Sequence, residues 1–136
     1  MPEFSAKSLK LLDTCDPRLR EICREVIKYK EISVVSGRRG KTEQDELYRT
    51  GKSQLRFPYS MHNGTPLSLA VDIAPWDAHN NTINWRDNNA FYVMLGHVER
   101  VAGELGIEVR TGANWDQDDE YDDEDFIDLC HVELVL

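Results

Sequence analysis

The chain has 136 residues, of which 40% are hydrophobic and 30% charged, and a formal net charge of −9. That length and balance fit one compact domain with an ordinary packed core, so residues 1–136 are read as a single domain. The acidic charge excludes a phosphate-backbone binder, which needs clustered Lys and Arg, and no stretch has the apolar length of a membrane span.

Met1 to Lys10 lacks the apolar run of a secretory signal, so synthesis in a cytoplasm is expected. Three cysteines, Cys15, Cys23 and Cys130, are odd in number and match no zinc-knuckle spacing, which points to reduced thiols. Asp16-Pro17 reads as an N-cap and first helical residue, and Leu19, Ile22, Val26 and Ile27 continue at helical spacing to about Tyr29. Ile32 to Val35 is a short β-branched run ended by Ser36-Gly37. A second helix is predicted from Thr42, where Thr42 and Asp45 have the spacing of a capping box, to a stop at Gly51.

Leu69 to Ala74 alternates and is closed by Pro75, which predicts a strand. The longest helix runs from about Asp87 to Leu105, with Phe91, Leu95, Val98, Ala102 and Leu105 as one apolar stripe and Gly106 as its end. Ile107–Arg110 and His131–Leu134 read as two further strands, separated by an acidic loop. Helices and strands without regular βαβ alternation indicate an α+β fold.

Three residues carry the chemistry. His62 lies in the turn-rich stretch Ser60-Met-His-Asn-Gly64. Alternation places Ala70, Asp72 and Ala74 on one face of their strand and Val71 and Ile73 on the other. The apolar pair belongs to the core, so Asp72, between two small residues, is expected to look over a cavity. His131 shares a face with Glu133, opposite Val132 and Leu134. Two His and one Asp suit zinc, leaving a fourth position for water, although this spacing alone is a weak signal. The His-Glu-x-x-His helix of many metalloproteases is absent.

The ordered segments Ser60-x-His62, Ala70-x-Asp72-Ile73 and Asp128-x-x-His131-x-Glu133-Leu134 resemble the motifs of the zinc D-alanyl-D-alanine peptidase family. That family includes VanY-like carboxypeptidases and phage endolysins that cut L-alanyl-D-glutamate bonds. Ser36-Gly-Arg-Arg39 with Thr42-Glu-Gln44, and Arg110-Thr-Gly-Ala-Asn-Trp-Asp116, resemble segments of the phage branch. The resemblance spans about Ile32 to Leu136.

It implies a small antiparallel sheet flanked by helices, hedgehog-like, with the zinc site on the sheet. It also implies His62, Asp72 and His131 as zinc ligands, Asp128 as catalytic base and Arg39 as a substrate or transition-state contact. Two departures stand out. His62 and Asp72 are ten positions apart, longer than the compact family pattern, with the excess around Thr65-Pro66-Leu67. Gly40-Lys41 separates Arg39 from Thr42 and leaves Arg38 as an alternative to Arg39.

The implied chemistry is hydrolysis by a metal-activated water, with a carboxylate moving the proton. Strand geometry favours Glu133 for that proton and the family pattern favours Asp128. Asp128 is taken as base, with Glu133 as a partner of His131 or the alternative base. Ser60 shapes the turn before His62 and is a candidate substrate donor, and Trp115 is a candidate wall of a substrate groove. His79 reads as a solvated loop histidine, His97 as structural or exposed, and Cys130 as a core thiol pointing away from His131.

Eight of the ten residues from Asp116 to Asp125 are carboxylates. Asp116, Asp118 and Glu120 alternate as the first ligands of a calcium loop do, although Tyr121 stands where such a loop has its turn glycine. A solvated acidic surface is the competing reading.

The expected function is therefore a zinc-dependent, monomeric, phage-type endolysin acting on the peptidoglycan stem peptide after release from the host cytoplasm. The alternatives are a D,D-carboxypeptidase on the same scaffold, or a non-catalytic wall-binding or virion domain.

Overall fold

The structure is a computed structural model that describes residues 2–113 and 128–136. The expected calcium loop, with Asp116, Asp118 and Glu120, and the expected groove residue Trp115 lie outside the described residues. The elements are α1 (Ala6–Leu12), α2 (Pro17–Val26), β1 (Ile32–Ser36), α3 (Lys41–Arg49), a 3-10 turn (Met61–Asn63), β2 (Ala70–Pro75), α4 (Asn88–Leu105), β3 (Val109–Thr111) and β4 (His131–Leu134). The fold is α+β, with one four-stranded antiparallel sheet in the order β1-β2-β4-β3.

Local chemistry explains most element ends. Asp16 caps α2 by accepting from the Arg18 N–H, and Pro17 occupies the first turn, where no N–H is needed. The helix stops at Val26, short of Tyr29, because the N–H groups of Lys28 and Tyr29 bond back three residues, to Glu25 and Val26. Asp87 caps α4 through the Ala90 N–H, and Gly106 ends it at a φ of +70°.

Three expectations are corrected. Helix α1 has no counterpart among the predicted elements, because its seven residues bury only Ser8 and Leu12, too few to register as a period. Helix α3 starts at Lys41, capped by Gly40 without a side-chain bond, so Thr42 lies inside the helix and the expected capping box does not form. Asp45 instead pairs with Lys41 and accepts from the Phe57 N–H. Strand β3 begins at Val109 because the Ile107 N–H is used to close the end of α4 on the Ala102 carbonyl.

Cross-strand register sorts the sheet into two faces. Val34 pairs with Ile73, and Val71 with Val132, so these side chains share the apolar face. Helix α4 packs on β2 and β3, α2 packs on α4, and α1 packs on β1. Leu19, Ile22 and Val26 from α2 meet Phe91, Met94, Leu95, Val98, Val101 and Ala102 from α4 in the same core. Of the predicted stripe only Leu105, at the helix end, is exposed.

The other face carries Ala70, Asp72, His131, Glu133 and Arg110, with Asp72 opposite His131 and Glu133 opposite both Ala70 and Arg110. This face is not the open cavity expected beside Asp72. Every residue of β2 and β4 is buried, and on the polar side the 3-10 turn carrying His62 packs against β2.

Candidate metal centre and active site

Register alone brings two of the three expected ligands together. Asp72 and His131 are directly opposed on β2 and β4, so their side chains are neighbours on the polar face. His62 comes from outside the sheet. Ser60 caps its 3-10 turn, its Oγ accepting from the His62 N–H, while Asn63 Oδ1 accepts from the Ser60 N–H. Ser60 thus shapes the turn, as expected.

His62 Nε2 lies 3.2 Å from Asp72 Oδ1 and 3.3 Å from His131 Nδ1, and His131 Nδ1 lies 3.2 Å from the same Asp72 oxygen. The three residues are 1%, 5% and 7% exposed, so water does not satisfy these atoms in bulk. Three donors held ~2.0–2.1 Å from a tetrahedral zinc stand ~3.3–3.4 Å apart. The near-equilateral triangle therefore fits one face of a zinc coordination tetrahedron.

The outward nitrogens fix which lone pairs point inward. His62 Nδ1 lies 2.7 Å from the Gly37 carbonyl, and His131 Nε2 lies 2.8 Å from Glu133 Oε1. An acceptor at each of these atoms orients its ring, so Nε2 of His62 and Nδ1 of His131 are the nitrogens that face the triangle and would donate electron pairs to a bound metal. Gly37 is required at its position because a Cβ would meet Thr14 Oγ1 at 2.2 Å and the Leu11 carbonyl at 2.5 Å. The Ser36-Gly37 pair read as a strand end is thus also the seat of the His62 ring.

Burial acts to raise the Asp72 carboxyl pKa, but hydrogen bonds and charge from His131 and His62 outweigh it and hold the group well below the usual carboxylate range. Burial acts to lower the His131 pKa, but Asp72 and Glu133 on its two sides push it up to about 9. Glu133 is likewise lowered, burial being outweighed by its bonds to His131 and Arg110. The pattern is that of a carboxylate-rich pocket built for positive charge.

Arg39 reaches the site and Arg38 does not. Arg39 Nη2 donates to Asp72 Oδ2 at 2.7 Å and its Nε to Ser36 Oγ at 3.1 Å. Arg38 donates to the Gly64 carbonyl instead. The bulge between Val34 and Ser36 brings Ser36 opposite Asp72. Gln44, fully buried on α3, links this corner to Ser53 and to the Leu55 carbonyl.

Asp128 and Glu133 occupy different sides of the triangle. The Asp128 carboxylate, an Asp72 oxygen and Cys130 Sγ lie within 4.8 Å of one another, so Asp128 is beside the donor set. The turn needed to bring it there exists, closed by the His131 N–H on the Asp128 carbonyl at 3.0 Å. Glu133 sits behind His131, both of its oxygens engaged, one by His131 and one by Arg110. Cys130 is a free thiol packed against the core, as expected; its Sγ also donates to Asp128 Oδ1 at 3.0 Å, and burial first, then the nearby carboxylates, raise its pKa.

His79 is an exposed loop residue, and His97 stacks on Tyr29 with ring centroids 6.0 Å apart; neither joins the site. The roles of Arg110 and Cys130 were not legible beforehand. The hints for Arg110 were its place on a predicted strand and at the head of the Arg110–Asp116 segment, and the register of the strand was needed to aim it.

Gly112 seats Asp128. Its carbonyl accepts from the Asp128 N–H, and a Cβ on Gly112 would lie 1.7 Å from the Asp128 carbonyl oxygen. Gly112→Ala must therefore displace the Asp128 backbone. We expect the fold to be retained and any turnover that depends on Asp128, read as the initial rate of wall clearing, to fall by up to about 10²-fold, the scale of a 1 Å misplacement. A wild-type rate would show that this contact does not set turnover.

A family model described as phage L-alanyl-D-glutamate peptidase matches residues 2–135. The L-alanyl-D-glutamate peptidase of Escherichia phage T5 is 32% identical over 138 residues, covering 98% of this chain and 98% of that protein. The crystal structure of the Serratia marcescens L-Ala D-Glu endopeptidase ChiX is similar with a TM-score of 0.77 and 26% identity, covering 98% of this chain and 90% of that one. A match along nearly the whole length, joined to motifs that fold into one buried cluster, means that this chain belongs to the phage L-alanyl-D-glutamate peptidase family.

Proposed function

We propose that this chain hydrolyses the L-alanyl-D-glutamate bond of the peptidoglycan stem peptide as a zinc peptidase, with His62, Asp72 and His131 as the protein ligands. Peptidase action on peptidoglycan follows from the family. The observation that carries the metal is the donor triangle of 3.2, 3.2 and 3.3 Å, buried and with one nitrogen of each imidazole turned inward. Zinc bound there would supply Lewis acidity and a water of lowered pKa.

In this reading Asp128 takes the proton of the attacking water on a carboxylate oxygen and returns it to the amine nitrogen of the departing D-glutamate. Its place beside the triangle supports that role, whereas Glu133 is occupied behind His131. Arg39 holds Asp72 through Oδ2, so that Oδ1 stays aimed at the two imidazoles. A substrate contact from Arg39 or Ser60 belongs to the same proposal. Among the described residues no helix is long and apolar enough to cross a membrane.

The bond cut is tested by mass spectrometry of purified walls after digestion. New free amino groups on D-glutamate, with no released D-alanine, are expected. Release of single D-alanine residues from otherwise intact stems would place the chain with the D,D-carboxypeptidases instead.

A further inference from the structure

The two imidazoles are anchored by different means. His62 leans on a backbone carbonyl, that of Gly37, which the fold itself holds still. His131 leans on a side chain, Glu133, which has three rotatable bonds of its own and needs something to hold it. Strand register provides the holder. Arg110 on β3 stands directly opposite Glu133 on β4, and its Nη2 donates to Glu133 Oε2 at 2.7 Å. Glu133 is 6% exposed, whereas the Arg110 side chain is 41% exposed.

We propose that Arg110 is a positioning residue for the metal centre: by fixing Glu133 it holds the His131 ring with Nε2 toward Glu133 and Nδ1 aimed at Asp72 and His62. The consequence for metal affinity rests on the zinc reading above; the orientation of the ring does not. A carboxylate gripped at both oxygens cannot rotate, and an imidazole bonded to it cannot flip. If Arg110 is lost, Glu133 keeps one partner, and the ring can turn its donor nitrogen away from the triangle.

Electrostatics alone predicts the opposite effect. Removing a positive charge near a cation site should tighten cation binding. The direction of the change therefore separates positioning from charge.

The test uses the full chain with Arg110→Met, which keeps the apolar stem but has no donors, and Arg110→Lys, which keeps a charged donor. One measurement is zinc affinity by competition with a chelator. The other is solvent exchange of the His131 Nε2 proton in metal-free protein, read by NMR. Arg110→Met is expected to bind zinc about 10- to 100-fold more weakly, the usual cost of losing an outer partner of a metal ligand. Its Nε2 proton should exchange too fast to observe, and Arg110→Lys should recover part of both.

Unchanged or tighter zinc binding in Arg110→Met, or an Nε2 proton still protected there, overturns the proposal. Should Arg110→Met not fold, the same readouts on Arg110→Lys decide: a partial loss of both supports the proposal, and wild-type values sink it. If wild-type protein binds no zinc, the metal reading fails, and the imidazole proton still settles what Arg110 does.

Discussion

His62→Ala and His131→Ala are each expected to lose both stoichiometric zinc and detectable wall lysis. Catalytic zinc sites use three protein donors and an open position. Among the described residues the triangle supplies three such donors, so either substitution leaves two. The damage does not stop at coordination. Without His131, the buried Glu133 carboxylate keeps its bond to Arg110 but loses the one to the ring, and Asp72 loses a partner that helps hold it ionised. Elemental analysis of purified protein reads the metal, and circular dichroism confirms the fold. A mutant that keeps one zinc per chain, or wild-type protein that lyses walls free of any metal, would falsify the assignment.

Asp128→Asn is expected to keep both zinc and fold and to lose turnover by about 10²- to 10⁴-fold, the range for removing a general base. The amide matches the carboxylate in size and can still accept from Cys130 Sγ, but it cannot take a proton. Glu133→Gln is the informative partner experiment. Its amide oxygen can still accept from His131 Nε2, so a smaller loss is expected, expressed through weakened metal binding. Steady-state rates at saturating zinc separate the two. A near-normal Asp128→Asn beside an inactive Glu133→Gln would exchange their roles.

The sequence by itself determined much of the local structure, because the signals are local. Asp16-Pro17, Asp87 and Gly106 mark helix ends through caps and backbone preferences that act within a turn, and these positions agree with the structure. The strand His131–Leu134 and the sorting of β2 into Val71 and Ile73 against Ala70 and Asp72 follow from a period of two, whereas Ala74, expected beside Asp72, joins the hydrophobic core. The capping box at Thr42 failed for a related reason: a helix start can slide by one residue at little cost, and Gly40 is tolerated as a cap. The candidate ligands were legible through ordered motifs, since spacing along the chain says nothing of distance across a sheet.

Only the tertiary structure decided what those residues do to one another. The opposition of Asp72 to His131 and of Glu133 to Arg110 depends on strand register, a long-range property set by the whole core. Strand alternation made Glu133 look like the better base because it shares a face with His131. The folded ring separates its two nitrogens, and Glu133 meets the outer one, Nε2, while Asp72 meets Nδ1. Likewise Arg39 rather than Arg38 reaches Asp72 because a bulge in β1 re-aims the chain after Val34, and no pattern of residue types records the direction in which a bulged strand leaves the sheet.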